Sequence, residues 1–261
     1  MLKVNLLAVS VGNTRTRVGA FVEGELAETA TFENAKKDKI TEAIDLAFEP
    51  LRDRPDAQVL LSSVNPTVAS PIEEMLAGHL GRAVRRVERD LVIPVGRQLD
   101  REAMVGEDRL LNAAAAFDVL KQACVVVDAG TAITVDFVDG AGTFHGGAIA
   151  PGAQLMLDAL NQRTAQLPDV DFERPSEIIG HNTTEAMRAG VFFALRGLVQ
   201  QLVEQIAEKN GQYPMVIATG GNGNLLFRDF ELVDRVVPDL TLRGIEVTLR
   251  RALEDSEKGG A

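Results

Sequence analysis

The chain has 261 residues, 46% of them hydrophobic, enough for one large domain or two smaller ones around packed cores. Its 38 acidic residues against 27 basic ones leave a net charge of -11, a surface that repels phosphate backbones and anionic lipids and argues against nucleic-acid or membrane partners. The single cysteine, Cys124, excludes an internal disulfide and reads as a buried inert thiol in a reducing compartment; with no apolar run of transmembrane length, a soluble cytoplasmic protein is expected.

Strand signals fill Leu2 to Ala20, which fits a first strand better than a signal peptide, and the Gly turn in "VEGEL" leads to a third strand over Ala27 to Phe32. Apolar residues at Ile40, Ala43, Ile44, Ala47, Phe48 and Leu51 have helical spacing. "AQVLLSSVNP" is a short buried strand stopped by Pro66, and a helix is expected from Ala69 to Leu80. "AVRRVERD" reads as a strand and "EDRLLNAAAAFDVL" as a helix, its alanines packed inside. Ala123 to Asp139 then gives two strands around a tight turn, and "VDGAGTFHGGAIAPG" a turn, a strand and a loop. Glu185 to Glu208 is a long amphipathic helix. "YPMVIATGGNGNLL" is a strand, a Gly-rich turn and a helix start, and a last helix lies near Leu240 to Leu253. The polar tail "EDSEKGGA" reads as disordered.

One feature recurs. "LLAVSVGNTRTRV" (Leu6 to Val18) and "CVVVDAGTAITVD" (Cys124 to Asp136) superpose on Gly12 and Gly130, with Ser10 in the first copy where the second has Asp128. A repeat of about half the chain length implies a duplicated domain, with a ligand cleft expected between the halves. A tight Gly turn lets backbone N–H groups form an anion-binding concavity. Asn13, Thr14, Thr16 and Thr131 add neutral donors, and Arg15 and Arg17 add charge if they face the ligand. A single such hairpin is ordinary structure; two matched copies and a third Gly-rich turn at "ATGGNG" point to a nucleotide phosphate. Asp136 and Asp139 read as hairpin surface and turn residues, and His79, His145 and His181 lack metal-ligand spacing.

The motifs "SVGNT" (Ser10 to Thr14), "GEDR" (Gly106 to Arg109), "DAGTAIT" (Asp128 to Thr134), "GGAIAPG" (Gly146 to Gly152) and "ATGGNG" (Ala218 to Gly223), with "SSVNP" and "IGHNTTEAM", occur in this order. Together the chain resembles the type III pantothenate kinases of the actin/hexokinase/Hsp70-like superfamily. The resemblance implies an α/β fold of duplicated actin-like (ribonuclease H-like) domains, each a mixed sheet with helices. These are expected over 1–117 and 118–254, with 255–261 as tail. It also implies ATP-dependent phosphorylation of pantothenate to 4′-phosphopantothenate for coenzyme A synthesis, ATP with Mg²⁺, a monovalent cation (K⁺ or NH₄⁺) and a homodimer.

By the same resemblance, Ser10, Val11, Gly12, Asn13, Thr14, Arg15, Thr16 and Arg17 line the ATP phosphates, Thr131 touches ATP, and Gly220 and Gly221 lie near the adenosine. Asp108 is the general base; Leu99, Gly106, Glu107, Asp108, Arg109 and Thr183 meet pantothenate; Asp128 holds the monovalent cation. From the residues alone, acids at the start of a helix are common because they complement its dipole. The functional reading adds that a carboxylate in reach of a primary alcohol takes its proton during phosphoryl transfer. Arg109 either forks onto a substrate carboxylate or balances Glu107 and Asp108. The chain departs from the family pattern at Ser10, where the pattern has Asp, and at Leu99 and Glu102, where it often has Tyr and Pro. Ser10 and Leu99 motivate a second reading, a homologue of low or no activity that binds nucleotide or a pantothenate-like ligand for regulation. A third is another kinase of the superfamily, such as one for a sugar.

Overall fold

The computed structural model describes residues 2–35 and 40–259. Strands β1 (Leu6–Val11), β2 (Arg15–Val22) and β3 (Glu25–Glu33) form an antiparallel meander. Helix α1 (Ile40–Phe48) precedes β4 (Gln58–Ser63), which runs parallel to β1; α2 (Pro66–Leu80) precedes β5 (Val84–Arg86), parallel to β4. The order is β3-β2-β1-β4-β5. After β6 (Gly96–Arg97) and α3 (Glu107–Leu120) the pattern restarts with β7 (Cys124–Ala129), β8 (Ala132–Val138) and β9 (Thr143–Pro151). Helices α4 (Ala153–Arg163) and α5 (Thr183–Asn210) lead to β10 (Met215–Thr219), α6 (Gly223–Phe227), β11 (Arg235–Val236) and α7 (Leu240–Gly259). The second sheet is ordered β11-β10-β7-β8-β9-β6. Strands β7, β8, β9, β10 and β11 thus repeat β1, β2, β3, β4 and β5 in order and direction, with β6 as an added edge. The duplication legible in two hairpins extends to two whole sheets.

Both central strands are buried on two faces, as strands inside parallel crossovers must be. In each, only the fifth residue escapes full burial: Ser10 in β1 and Asp128 in β7. Leu7, Val9 and Val11 enter one core with Val59 and Leu61 of β4 and with Ile44, Phe48, Ile72 and Leu76 from α1 and α2. Val125, Val127, Ile133 and Val135 enter another, with Leu157 of α4 and Val191, Leu195, Val199 and Val203 along α5. At about 25 cal/mol per Å² of buried apolar surface, these cores carry the stability of each sheet. Asn65 and Asn182 cap α2 and α5 by accepting the N–H of Val68 (3.3 Å) and of Glu185 (2.9 Å).

Contacts divide the chain into two units, one of Met1–Val95, Arg101–Asp118 and Leu240–Ala261, the other of Gly96–Asp100 and Val119–Asp239. The linear division after residue 117 expected from the sequence therefore differs at α7, which packs on β1, β2 and β4 of the first unit. Its seat on α3 explains why. A Cβ at Gly244 would lie 2.3 Å from the Leu111 carbonyl oxygen, Thr241 Oγ1 donates to Asn112 Oδ1 (2.8 Å), and Arg250 and Arg251 both pair with Asp118 (2.6 and 2.7 Å). Residues 255–259 of the expected disordered tail continue this helix, with Ser256 Oγ donating to the Ala252 carbonyl (2.8 Å) and Lys258 near Asp255 (3.8 Å). Residues 260–261 lie outside the described residues. One stretch with no expected element is also helix, α4, which starts after its N-cap Gly152, and one further reading changes. Asp136 is buried on β8, where a Cβ on Gly147 would lie 2.7 Å from its Oδ1, so it is no surface residue.

Candidate active site

In the first unit, Ser10 pairs in register with Arg17 across the hairpin and with Ser62 on β4. Register partners share a face of a sheet and neighbours along a strand alternate. Ser10, Arg17 and Ser62 therefore lie on the face opposite Leu7, Val9 and Val11. Thr16 points the other way. It is fully buried and its hydroxyl donates to Asn34 Oδ1 (2.8 Å), so it is a strut of the loop and not the ligand donor expected. Asn34, just past β3, also donates from Nδ2 to the carbonyls of Gly12 (2.9 Å) and Asn13 (3.1 Å), and its N–H donates to that of Thr14 (2.9 Å). The Gly12 N–H closes the turn onto the Arg15 carbonyl (3.0 Å), leaving Asn13, Thr14 and Arg15 exposed at the tip. No residue pattern marks Asn34 in the sequence. Asn34→Ala is expected to cost about 1–2 kcal/mol by stranding a buried hydroxyl and to weaken nucleotide binding, which thermal unfolding and titration with an ATP analogue would measure.

Helix α3 brings "GEDR" to the same end of this sheet. Glu107 Oε2 accepts from Ser62 Oγ (2.7 Å) and from the Ser63 N–H (3.0 Å). Burial pushes its carboxyl above the usual range; the Ser62 and Ser63 bonds and Arg86 pull it back and Glu88 adds to the rise. The carboxylate expected to meet substrate is thus engaged in clamping the helix start to the end of β4. Asp108 Oδ1 accepts the Arg109 N–H (2.8 Å). A Cβ on Gly106 would stand 2.5 Å from that oxygen and 3.3 Å from Val64 Cγ1, so glycine there makes room for the carboxylate. The Val64 N–H donates to the Val11 carbonyl (3.1 Å). Gly106, Asp108 and Arg109 accordingly sit past the carboxyl ends of β1 and β4, where open α/β sheets bind ligands.

In the second unit Asp128 holds the place of Ser10, pairing with Thr134 on β8 and Thr219 on β10. Three loops converge on it. Gly220 (φ 90°) follows β10 so closely that a Cβ would lie 2.5 Å from Asp128 Oδ1 and 2.6 Å from the Ala129 carbonyl oxygen. The Gly152 N–H donates to the Thr131 carbonyl and the Asn222 N–H to that of Ala129, both at 3.0 Å. The loops that carry Asp128, Thr131, Gly220 and the exposed Gly221 thus lie together, with Gly152 and Asn222 as supports. A side chain at Gly220 would clash with both oxygens, so only glycine fits against Asp128 and Ala129 here.

Leu99 is half-buried in the same unit, its Cδ2 3.4 Å from where Gly146 would carry a Cβ. Thr183 is exposed at the start of α5, on an apolar groove of ≈ 350 Å³ lined also by Met156, Leu160, Leu167, Met187 and Val191. The histidines pair with carboxylates: His79 with Asp45 (2.7 Å), His145 with Asp139 (2.8 Å) and His181 with Glu177 (3.2 Å). Asp139 caps its turn by accepting the N–H groups of Ala141 and Thr143, and burial pushes the Cys124 thiol up to about 12.

Residues 6–205 match the type III pantothenate kinase family. The chain is 34% identical over 247 residues to the type III pantothenate kinase of Dehalococcoides mccartyi, covering 93% of this chain and 96% of that one. The chain belongs to the type III pantothenate kinase family. Its similarity to the enzyme of Syntrophotalea carbinolica is 34% over 252 residues (94% and 98% of the two chains), and to that of Listeria innocua 32% over 258 (97% and 100%). The fold is the duplicated actin-like α/β architecture, also seen in the (R)-2-hydroxyglutaryl-CoA dehydratase component A of Acidaminococcus fermentans (TM-score 0.56, 14% identity, 94% and 96% covered). MreB5 of Spiroplasma citri bound to ADP has it too (0.50, 12%, 98% of each chain). Among the described residues of this pantothenate kinase family member, no cluster of three or more His, Cys, Asp or Glu is fit to cage a metal. Mg²⁺ keeps several waters and commonly needs only one or two carboxylates beside substrate phosphates. No helix among the described residues is long and apolar enough to cross a membrane.

Proposed function

We propose that the protein transfers the γ-phosphoryl group of ATP to the primary hydroxyl of pantothenate, giving 4′-phosphopantothenate at the start of coenzyme A synthesis. The observation that carries the reading is the seat of Asp108, half-buried past the carboxyl ends of β1 and β4, in the unit that also presents the Ser10–Arg17 hairpin. Asp108 takes the hydroxyl proton while the alcohol oxygen bonds to the γ-phosphorus; the bond from that phosphorus to the β,γ-bridging oxygen breaks and its electron pair leaves with ADP. Backbone N–H groups of the Asn34-braced loop, with Asn13, Thr14, Arg15 and Arg17, hold the phosphates. Mg²⁺ on the triphosphate would supply charge neutralisation, and Ser10 is the residue of the hairpin that would face it. Arg109 forks onto the pantothenate carboxylate, Leu99 gives an apolar wall, and Thr183 contributes a hydroxyl. Asp128, Thr131, Gly220 and Gly221 serve the nucleotide, and Asp128 would do so by holding a K⁺ or NH₄⁺ ion. A cytoplasmic homodimer completes the reading.

A coupled assay with ATP, pantothenate, Mg²⁺ and K⁺ tests it. ADP and phosphopantothenate in equal amounts are expected, with loss of rate when Na⁺ replaces K⁺. Phosphorylation of a sugar but not of pantothenate, or no turnover at all, would overturn the assignment.

A further inference from the structure

Strands β1 and β7 hold equivalent places in the two sheets and share one burial pattern, yet they differ in charge at the one part-exposed position. In the second unit Asp128 puts a carboxylate there, paired with Thr219 on the parallel neighbour β10. In the first unit the same pair is Ser10 and Ser62, two hydroxyls. A carboxylate is nevertheless present on that face, because Glu107 reaches in from α3 and accepts from Ser62 Oγ at 2.7 Å. Both hydrogen bonds to the protein fall on Oε2, and Oε1 takes no hydrogen-bond partner among the described residues. An oxygen carrying half a negative charge is thereby left on the side chain that holds Ser62, the register partner of Ser10.

We infer that Glu107 supplies the negative charge that Ser10 lacks, acting through solvent on the divalent ion of the bound nucleotide. Its role is to select the metal complex of the nucleotide over the metal-free form. The inference rests on the kinase reading above and assigns Glu107 a positioning role there, in place of contact with pantothenate. The two functions of the side chain separate by atom: Oε2 holds the helix to β4, and Oε1 carries the charge to the ion. A glutamine keeps the acceptor for Ser62 and Ser63 and removes only the charge.

The test is a titration of the whole protein with Mn²⁺, followed by electron paramagnetic resonance, with and without a non-hydrolysable ATP analogue. Glu107→Gln should weaken Mn²⁺ binding to the protein–nucleotide complex by about tenfold, the scale on which outer-shell partners act. The same variant should bind the metal-free analogue at least as tightly as wild type, because one repulsive charge has gone. Adding Ser10→Asp to Glu107→Gln should recover most of the Mn²⁺ affinity. Unchanged Mn²⁺ affinity in Glu107→Gln overturns the inference. So does an equal loss with and without metal, which would mark a merely structural residue. If the wild-type protein binds no analogue under any condition, the kinase reading fails and this inference with it.

Discussion

Asp108→Asn is expected to lower turnover by about 10²- to 10⁴-fold, the range that a general base contributes, while affinity for an ATP analogue stays within about twofold of wild type. The geometry makes this substitution clean. Asparagine has the size of aspartate, and its Oδ1 still accepts the Arg109 N–H that Asp108 takes at 2.8 Å. The space left by Gly106, where a Cβ would stand 2.5 Å from that oxygen, is filled as before. Glu107 continues to anchor the helix to Ser62 and Ser63. What disappears is the negative charge, and with it the capacity to accept a proton. Because the helix start is kept, KM for pantothenate should move little and the loss should fall on kcat. Steady-state kinetics beside calorimetric binding of the analogue separate the two terms. A kcat near that of wild type would remove Asp108 from the base role. A collapse of analogue binding would mean that its charge organises the phosphate loop instead.

The parts of this site that the sequence made legible are those whose signal is local. Gly12 and Gly130 stand between β-prone runs, and two such runs in matched positions announce paired hairpins; the strand order confirms them as equivalent. The alternation of a strand was equally available. Thr16 and Arg17 must face opposite sides of β2, and only one of them can join Ser10. What stayed hidden depends on partners distant in the chain. Glu107 reads as a common helix-start acid until Ser62, 45 positions earlier, is seen to donate to it. Asn34 carries no motif, and its four bonds to the hairpin exist only because β3 ends beside that loop. The membership of α7 was hidden for the same reason: its contacts with Leu111, Asn112 and Asp118 cross more than 120 residues, so a linear split after 117 had nothing to correct it. Helix α4 carries little local signal, because its N-cap is Gly152, which offers no side chain to cap it.

Gly152→Val should be strongly damaging to the second unit. A Cβ at this position would lie 2.3 Å from the Gly130 carbonyl oxygen, 2.5 Å from that of Thr131 and 2.9 Å from the Thr131 carbonyl carbon. All three are backbone atoms, so no side-chain rotation relieves the contact, and the loop after β7 or the start of α4 must move. Overpacking of this kind costs up to about 3 kcal/mol, and more where backbone must shift. The displaced loop is the one that carries Thr131 and borders Asp128, so nucleotide affinity should fall together with thermal stability. A second glycine supplies the control. Gly197 lies inside α5, and a Cβ there would meet no atom within 4 Å, so Gly197→Ala should stabilise the helix by about 0.5–1 kcal/mol. If Gly152→Val melted and bound nucleotide like wild type, the close seat of α4 against the second hairpin would be wrong. Opposite shifts in the two variants would locate the constraint in the contact with Gly130 and Thr131, since a general intolerance of the fold to larger residues would lower both.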